Sequence, residues 1–142
     1  MPSHAFVDLG EYRLCLMTAG QGTPLVILEA GAGDASTTWQ GIFQAVAQFT
    51  QVMAYDRAGL GQSDAAPRPR TAWQLTDDLQ KLLRLVQLEG PYVLVGHSLG
   101  ALLSRLYAQR YPQDVAGLVL IDGPHPEQGS RFASALTATG YH

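Results

Sequence analysis

The sequence predicts an α/β fold built on a mostly parallel sheet. Short apolar runs alternate along the chain with segments in which apolar residues recur at helical spacing. Loops that contain glycine and proline separate most of these segments. Since strands that alternate with helices usually pair in parallel, we expect one sheet with helices on both of its faces.

The first three strands are predicted from alternation and from one continuous apolar run. Residues 5–9 and 12–17 are expected to pair in antiparallel fashion across the turn at Gly10-Glu11. Residues 25–28, introduced by Pro24, are all apolar. Such a run is typical of a strand covered on both faces, which predicts a central parallel strand.

Two helices with predicted capping boxes flank the fourth strand, residues 52–55. Thr37 and Gln40 have capping-box spacing at the start of the first helix, and Thr71 and Gln74 have it at the start of the second. The apolar residues that recur with helical spacing are Trp39, Ile42, Phe43 and Val46 in the first helix and Leu75, Leu79, Leu82, Leu83 and Val86 in the second.

A third helix between two further strands completes the alternation. Residues 92–95 form the fifth predicted strand, and residues 115–121 form the sixth. The helix between them ends before Pro112, and its apolar residues are Leu99, Leu102, Leu103 and Leu106. The tail at 126–142 has little periodicity and is expected to be a short helix or a frayed end.

The composition predicts one domain and argues against several classes of site. A chain of 142 residues can bury a single core. The net charge is −3 and the nine basic residues form no run, so no nucleic acid is expected as a partner. With one cysteine and no His or Cys pair at ligand spacing, neither a disulfide nor a metal site is expected. Gly31-Ala-Gly33 lacks the third glycine of a dinucleotide-binding loop, so no cofactor is expected either.

The sequence also predicts a cytoplasmic protein without a membrane span. Its first residues lack the basic and apolar regions of an export signal. No stretch is continuously apolar over the roughly 18 residues that a transmembrane helix needs.

The segment from Gly96 to Gly100 carries the strongest functional signal. It reads Gly-His-Ser-Leu-Gly, fits Gly-x-Ser-x-Gly, and lies between a predicted strand and a predicted helix. A serine on such a turn projects its hydroxyl above the sheet, and the helix N-terminus offers unpaired N–H groups to a developing oxyanion. The pattern predicts Ser98 as a nucleophile. A chance match on a glycine-rich turn is the alternative.

Four segments together resemble the α/β-hydrolase superfamily, in its esterase, lipase and peptidase branch. They are LEAGAGD at 28–34, YDRAGLGQSD at 55–64, GHSLG at 96–100 and VLIDGPHP at 119–126. The resemblance implies the strand order 1-2-4-3-5-6, with Ser98 at a sharp turn of positive φ. It also implies a serine hydrolase that acts by acyl transfer on a carboxylic ester or a similar substrate. A serine at this position argues against the branches that attack epoxides or halides through an aspartate.

The resemblance further implies an oxyanion hole made by two backbone N–H groups. In the family, one donor lies in the loop after the third strand and the other follows the nucleophile. Here these are Ala32 and Leu99, with Gly33 as the alternative to Ala32. Ala30 stands where the family commonly has a histidine, but donation by the backbone does not depend on that side chain.

Charged residues follow two of the strands that lead into these loops. Glu29 and Arg57 are expected either to form a buried pair that supports both loops or to remain two solvated charges. Asp64, at the end of the second motif, is expected to cap a turn rather than to take part in chemistry.

The acid and the base of a catalytic triad are harder to assign. In the family they follow the serine in chain order, after later strands. Only one clear strand follows Ser98, so residues 1–142 are interpreted as a partial hydrolase domain without the family's cap and its usual acid and histidine. The candidates that remain are Asp122, at the end of the sixth strand, and His125, whose alternative role is to order a Pro-His-Pro turn.

Three functions therefore remain open. The chain is a fragment of a longer serine hydrolase, a shortened enzyme that uses His125 as its base, or a non-catalytic module. Residues 115–121 contain no charge and are expected to form an exposed sheet edge. The expected partners are a small acyl substrate and, at this edge, a second copy of the chain or a complementary C-terminal segment.

Overall fold

A six-stranded mixed sheet forms the centre of the computed structural model, which describes residues 3–123 and residue 127. The strands are β1 (Ser3–Asp8), β2 (Arg13–Ala19), β3 (Leu25–Glu29), β4 (Val52–Tyr55), β5 (Tyr92–His97) and β6 (Val115–Ile121). Their order is β1-β2-β4-β3-β5-β6, which confirms the prediction. β2 is antiparallel to both β1 and β4, whereas β4, β3, β5 and β6 are mutually parallel. The carboxyl ends of these four strands therefore meet at one end of the sheet.

Helices cover both faces of the sheet, as predicted. They are α1 (Gln40–Val46), α2 (Ala72–Leu85) and α3 (Leu99–Arg110). Leu82 of α2 and Tyr107 of α3 belong to the core on one face, and Phe43 of α1 belongs to the core on the other. All five residues of β3 are buried, with Ile27 in the first core and Val26 in the second. The continuous apolar run thus marks a central strand.

The two predicted capping boxes have different outcomes. Thr71 caps α2 as predicted, since its hydroxyl accepts from Gln74 N–H at 3.2 Å and Gln74 Oε1 accepts from Thr71 N–H at 2.8 Å. The box at Thr37 and Gln40 is wrong, because a 3₁₀ turn, Ser36–Trp39, precedes α1 and places Thr37 inside the turn. A carboxylate from another loop binds the N-terminus of that turn instead, with Asp56 Oδ1 accepting from Ser36 N–H at 2.7 Å.

β6 is an edge strand of the sheet and has exposed apolar side chains. Within the described residues it pairs only with β5. Its last four residues, Leu118 to Ile121, are 39–48% exposed. Apart from residue 127, the predicted tail at 126–142 lies outside the described residues.

Candidate active site

Ser98 occupies the strained turn that the sequence predicts between β5 and α3. Its backbone has φ 53° and ψ −117°, a left-handed conformation that costs a side-chain-bearing residue about 1–3 kcal/mol. Hydrogen bonds hold the turn on both sides: Ser98 N–H donates to Ile121 O at 3.0 Å, and Ser98 O accepts from Ala101 N–H at 3.0 Å. Within residues 3–123, the Ser98 hydroxyl forms no hydrogen bond.

The glycines on either side of Ser98 allow an unusually close approach of backbones. A Cβ atom on Gly96 would lie 2.3 Å from Gly100 O, and one on Gly100 would lie 2.1 Å from Glu29 O. No real Cβ atom tolerates such distances to backbone. The N-terminus of α3 therefore rests directly on the end of β3, which brings Ser98 and Leu99 beside the loop that follows β3.

That loop, residues 30–35, contains the first predicted oxyanion donor. Ala32 is exposed, and Gly33 has φ 74°, a left-handed conformation that glycine adopts readily. Asp34 N–H donates to Gly31 O at 3.2 Å and closes the turn around Ala32. The second predicted donor, Leu99, is the first residue of α3, so its N–H has no partner inside the helix.

A buried ion pair lies beneath the same loop, as one of the two interpretations of the sequence predicts. Arg57 Nη1 is 3.1 Å from Glu29 Oε2, and these residues are only 5% and 2% exposed. The guanidinium also donates to Ala30 O at 2.7 Å and to Gly31 O at 2.6 Å. Tyr55 completes the cluster by donating from its hydroxyl to Glu29 Oε1.

The electrostatics of this cluster follow from its burial. Desolvation raises the pKa of the Glu29 carboxyl, while the Arg57 charge and the Tyr55 hydroxyl act in the opposite direction. The pKa of the Tyr55 hydroxyl is raised well above its usual value by burial and by the neighbouring Glu29. Tyr55 is therefore a neutral donor at neutral pH.

The loop after β4 is held by its acidic residues. Asp56 Oδ2 accepts from Gln62 N–H at 3.0 Å, and a Cβ atom on Gly61 would lie 2.3 Å from that oxygen. Asp64 does not act as the expected turn cap. Its Oδ2 accepts from both the backbone N–H and Nε of Arg13, each at 3.0 Å, and so ties the loop to β2.

Two predicted catalytic residues remain, Asp122 and His125, and the structure describes only the first of them. Asp122 directly follows Ile121, has φ 46° and is exposed, at the same end of the sheet as Ser98. His125 lies outside the described residues. The described part of the chain holds no group of three His, Cys, Asp or Glu side chains able to bind a metal ion, and none of its helices is long and apolar enough to cross a membrane.

Comparison with known proteins agrees with this architecture. Residues 23–137 match the family described as alpha/beta hydrolase fold. The chain belongs to this family. A Gibberella zeae protein named AB hydrolase superfamily protein is 34% identical over 103 residues, which are 70% of this chain and 32% of that protein. A Hormonema carpetanum protein named probable transporter efuK is 34% identical over 124 residues, which are 82% of this chain and 18% of that protein.

Two solved α/β-hydrolase structures overlay on nearly the whole chain. Epoxide hydrolase A from Mycobacterium thermoresistibile is 32% identical with a TM-score of 0.79, over 100% of this chain and 46% of that one. The thioesterase domain from the curacin biosynthetic pathway is 25% identical with a TM-score of 0.81, over 99% and 53%. The chain thus spans about half of each of these two solved structures, and 18% and 32% of the two curated relatives.

Proposed function

We propose that this chain carries the nucleophile of a serine hydrolase that acts by acyl transfer on a carboxylic ester or a similar acyl substrate. The observation that supports this most directly is the strained backbone of Ser98, at φ 53° between β5 and the N-terminus of α3. Nothing in the packing of a strand and a helix requires a side chain at such a position, where glycine would cost less. Strain retained at a hydroxyl-bearing residue favours a chemical role.

The reaction assigns a task to each group around Ser98. Ser98 Oγ forms a bond to the acyl carbon while its proton passes to a base, and the carbonyl electron pair moves onto oxygen. The N–H groups of Ala32 and Leu99 would bind that oxyanion. When this tetrahedral intermediate collapses, the bond to the leaving group breaks, and the leaving oxygen of an ester or sulfur of a thioester takes the proton from the base. Water then attacks the acyl-enzyme by the same route and releases the carboxylic acid and Ser98.

The proposed reaction also needs a base that accepts the Ser98 proton and an acid that supports this base. Because the chain spans about half of its solved relatives, we propose that it is a fragment of a longer enzyme that supplies both groups. The alternative within this chain is Asp122 with His125. Asp122 lies next to Ile121, whose carbonyl accepts from Ser98 N–H, so its position at the sheet end suits a supporting acid.

A serine nucleophile favours some substrate classes over others. Opening an epoxide through a covalent ester needs a carboxylate nucleophile, and the residue on this turn is a serine. Acyl transfer through a serine ester matches the residue present. We therefore favour an ester or thioester over an epoxide as substrate.

A fluorophosphonate probe tests the proposal, because it reacts covalently with an activated serine. Peptide mass spectrometry is expected to find the label on Ser98, and Ser98→Ala should remove it. Ser3→Ala, at an exposed residue of β1, should leave labelling unchanged. Since the proposal places the base outside this chain, labelling is expected to be slow and is measured over a long incubation. Ser98 that stays unlabelled after that incubation, or label that persists in Ser98→Ala, would contradict the proposal. The variant His125→Ala tests whether His125 is the base that activates Ser98. Unchanged labelling in this variant excludes His125 from that role.

A non-catalytic module remains the second candidate, favoured by the exposed apolar end of β6. In that case the half-sheet acts as a scaffold that associates through this edge. The fluorophosphonate experiment distinguishes the serine hydrolase from the non-catalytic module, because the module should associate without reacting with the probe.

A further inference from the structure

Arg57 makes contacts with the loop after β3 that go beyond pairing with Glu29. Its guanidinium donates to two successive carbonyl groups, from Nη1 to Ala30 O at 2.7 Å and from Nη2 to Gly31 O at 2.6 Å. The side chain is 5% exposed and is anchored by Glu29 Oε2 at 3.1 Å. A planar fork can bind two carbonyls at once in this way, whereas an ammonium group acts as a single point charge.

Binding the carbonyl of Gly31 fixes the direction of the next N–H group. The C=O of Gly31 and the N–H of Ala32 belong to one planar trans peptide and point in opposite directions. Arg57 therefore holds the Ala32 N–H away from the guanidinium. Ala32 is exposed, so this N–H belongs to the outer side of the loop rather than to the buried cluster beneath it.

The loop lacks a comparable restraint of its own. Gly31 and Gly33 allow wide backbone rotation, and Gly33 already adopts φ 74°. The hydrogen bond from Asp34 N–H to Gly31 O arises within the same turn and can move with it. Arg57 instead approaches from the loop after β4. Its Nη1 is bound by Glu29 Oε2, and Glu29 is in turn bound by the Tyr55 hydroxyl.

We propose that Arg57 is a positioning residue that sets the Gly31–Ala32 peptide so that the Ala32 N–H can bind the oxyanion. Glu29 holds the guanidinium in place, Tyr55 holds Glu29, and neither touches substrate. The inference rests on the proposed function, in which Ala32 is an oxyanion donor. It adds that the hole is preformed by a side chain outside its own loop.

The first test measures peptide orientation and needs no activity. Crystal structures of the wild-type chain and of Arg57→Lys are expected to differ in the direction of the Gly31 carbonyl. Because either single change can destabilise the buried pair, Glu29→Gln/Arg57→Met serves as a second variant, in which both charges are removed together. An unchanged Gly31–Ala32 peptide in a folded variant would overturn the inference, whether or not the protein is a hydrolase.

The second test measures the kinetic consequence on a short-chain aryl ester, whose turnover without the base is expected to be slow, about 10³–10⁴-fold above the reaction in water. Loss of one oxyanion donor lowers kcat about 10²–10³-fold, and KM should change far less. Guanidinium ion added to Arg57→Ala should restore part of kcat. Arg13→Met, which removes a surface arginine bound to Asp64, is the matched control and should keep kcat.

The outcomes separate the two proposals. A wild-type chain in which Ser98 stays unlabelled even after long incubation contradicts the proposed function, while the crystal structures still decide the role of Arg57 in peptide orientation. An active wild-type chain whose kcat survives in Arg57→Lys and in the double variant contradicts the positioning role alone.

Discussion

The backbone N–H of Ser98 donates to the carbonyl of Ile121 at 3.0 Å, which joins the strained turn to the last residue of β6. The turn is therefore supported by the edge strand as well as by its own helix. Gly100 supports it from the other side, in contact with the end of β3. The geometry at Ser98 thus depends on backbone packing between three elements, and substitutions in that packing can test it.

Gly100→Ala is expected to lower the free energy of unfolding by about 1–3 kcal/mol through overpacking. The added Cβ atom would lie 2.1 Å from Glu29 O and 2.7 Å from Ala30 O, both backbone atoms of a buried segment that cannot rotate away. Urea unfolding measures the change. Gly41→Ala in α1 is the control, because a Cβ there meets nothing within 4 Å and should stabilise the helix slightly. Equal effects of the two substitutions would contradict the predicted close approach.

Two replacements of Ser98 separate strain from chemistry. Both Ser98→Ala and Ser98→Gly should abolish fluorophosphonate labelling, because both remove the hydroxyl. Ser98→Gly should nevertheless be more stable than Ser98→Ala by about 1 kcal/mol, since only glycine adopts φ 53° without strain. Thermal unfolding of the two variants checks this difference. If alanine were the more stable residue, the turn would not be strained.

Local signals made much of this arrangement predictable from the sequence. The Gly-x-Ser-x-Gly pattern predicts its own turn, because Gly96 is required by a contact with Gly100 inside the pattern, although Gly100 is itself required by the distant end of β3. The capping box at Thr71 is likewise local, with both partners three residues apart. The continuous apolar run at 25–28 is a local signal too, since four neighbouring residues are enough to predict the buried strand β3.

Contacts between residues far apart in the sequence could not be predicted from local patterns. Ser36 is capped by Asp56, twenty residues away, so the local box predicted at Thr37 did not form. Ile42, placed on the predicted apolar face, is 46% exposed after the 3₁₀ turn that precedes α1. The sequence suggested the pairing of Glu29 with Arg57, but the two carbonyls that Arg57 binds could be found only in three dimensions.

Asp64 gives a prediction for the pH dependence of stability. Hydrogen bonds from Arg13 lower the pKa of the Asp64 carboxyl below its usual value of 3.8. A folded-state pKa below the unfolded one adds stability above the unfolded pKa, and this stability is lost as pH falls through the folded pKa. Asp64→Asn should therefore be less stable than the wild type at pH 7, and the difference should vanish under strong acid.

Urea unfolding at a series of pH values measures that difference. Arg13→Met removes the same partner and should show the same pH dependence, and 1 M salt should reduce both effects because the pair is partly exposed. A difference between wild type and Asp64→Asn that stays constant down to pH 2 would show that the ion pair is not its cause.

The buried pair of Glu29 and Arg57 should behave as one energetic unit. Glu29→Gln leaves the guanidinium buried without a counter-charge, which costs about 3–5 kcal/mol. Glu29→Gln/Arg57→Met removes both charges and should cost clearly less than the sum of the single changes. A double-mutant cycle from urea unfolding gives the coupling energy. Additive costs would mean that the two side chains act independently.

For β6, we propose that the exposed edge pairs with the same strand of a second copy of this chain. Two edge strands related by a two-fold axis pair in antiparallel fashion, so one apolar, uncharged surface can serve both partners. Val119, the most exposed of the four residues Leu118 to Ile121 at 48%, would lie in that contact. Sedimentation velocity over a range of micromolar concentrations should therefore show a dimer for the wild type.

Substitution with lysine tests where this association occurs. Val119→Lys should shift the protein to monomer, because a charge on an edge strand opposes pairing with another strand. Phe49→Lys is the matched control: Phe49 is 74% exposed but lies between α1 and β4, away from this edge, so the dimer should persist. A wild-type chain that stays monomeric at every concentration, with β6 amides protected from hydrogen exchange, would contradict the proposal. Dissociation by Phe49→Lys but not by Val119→Lys would place the contact elsewhere.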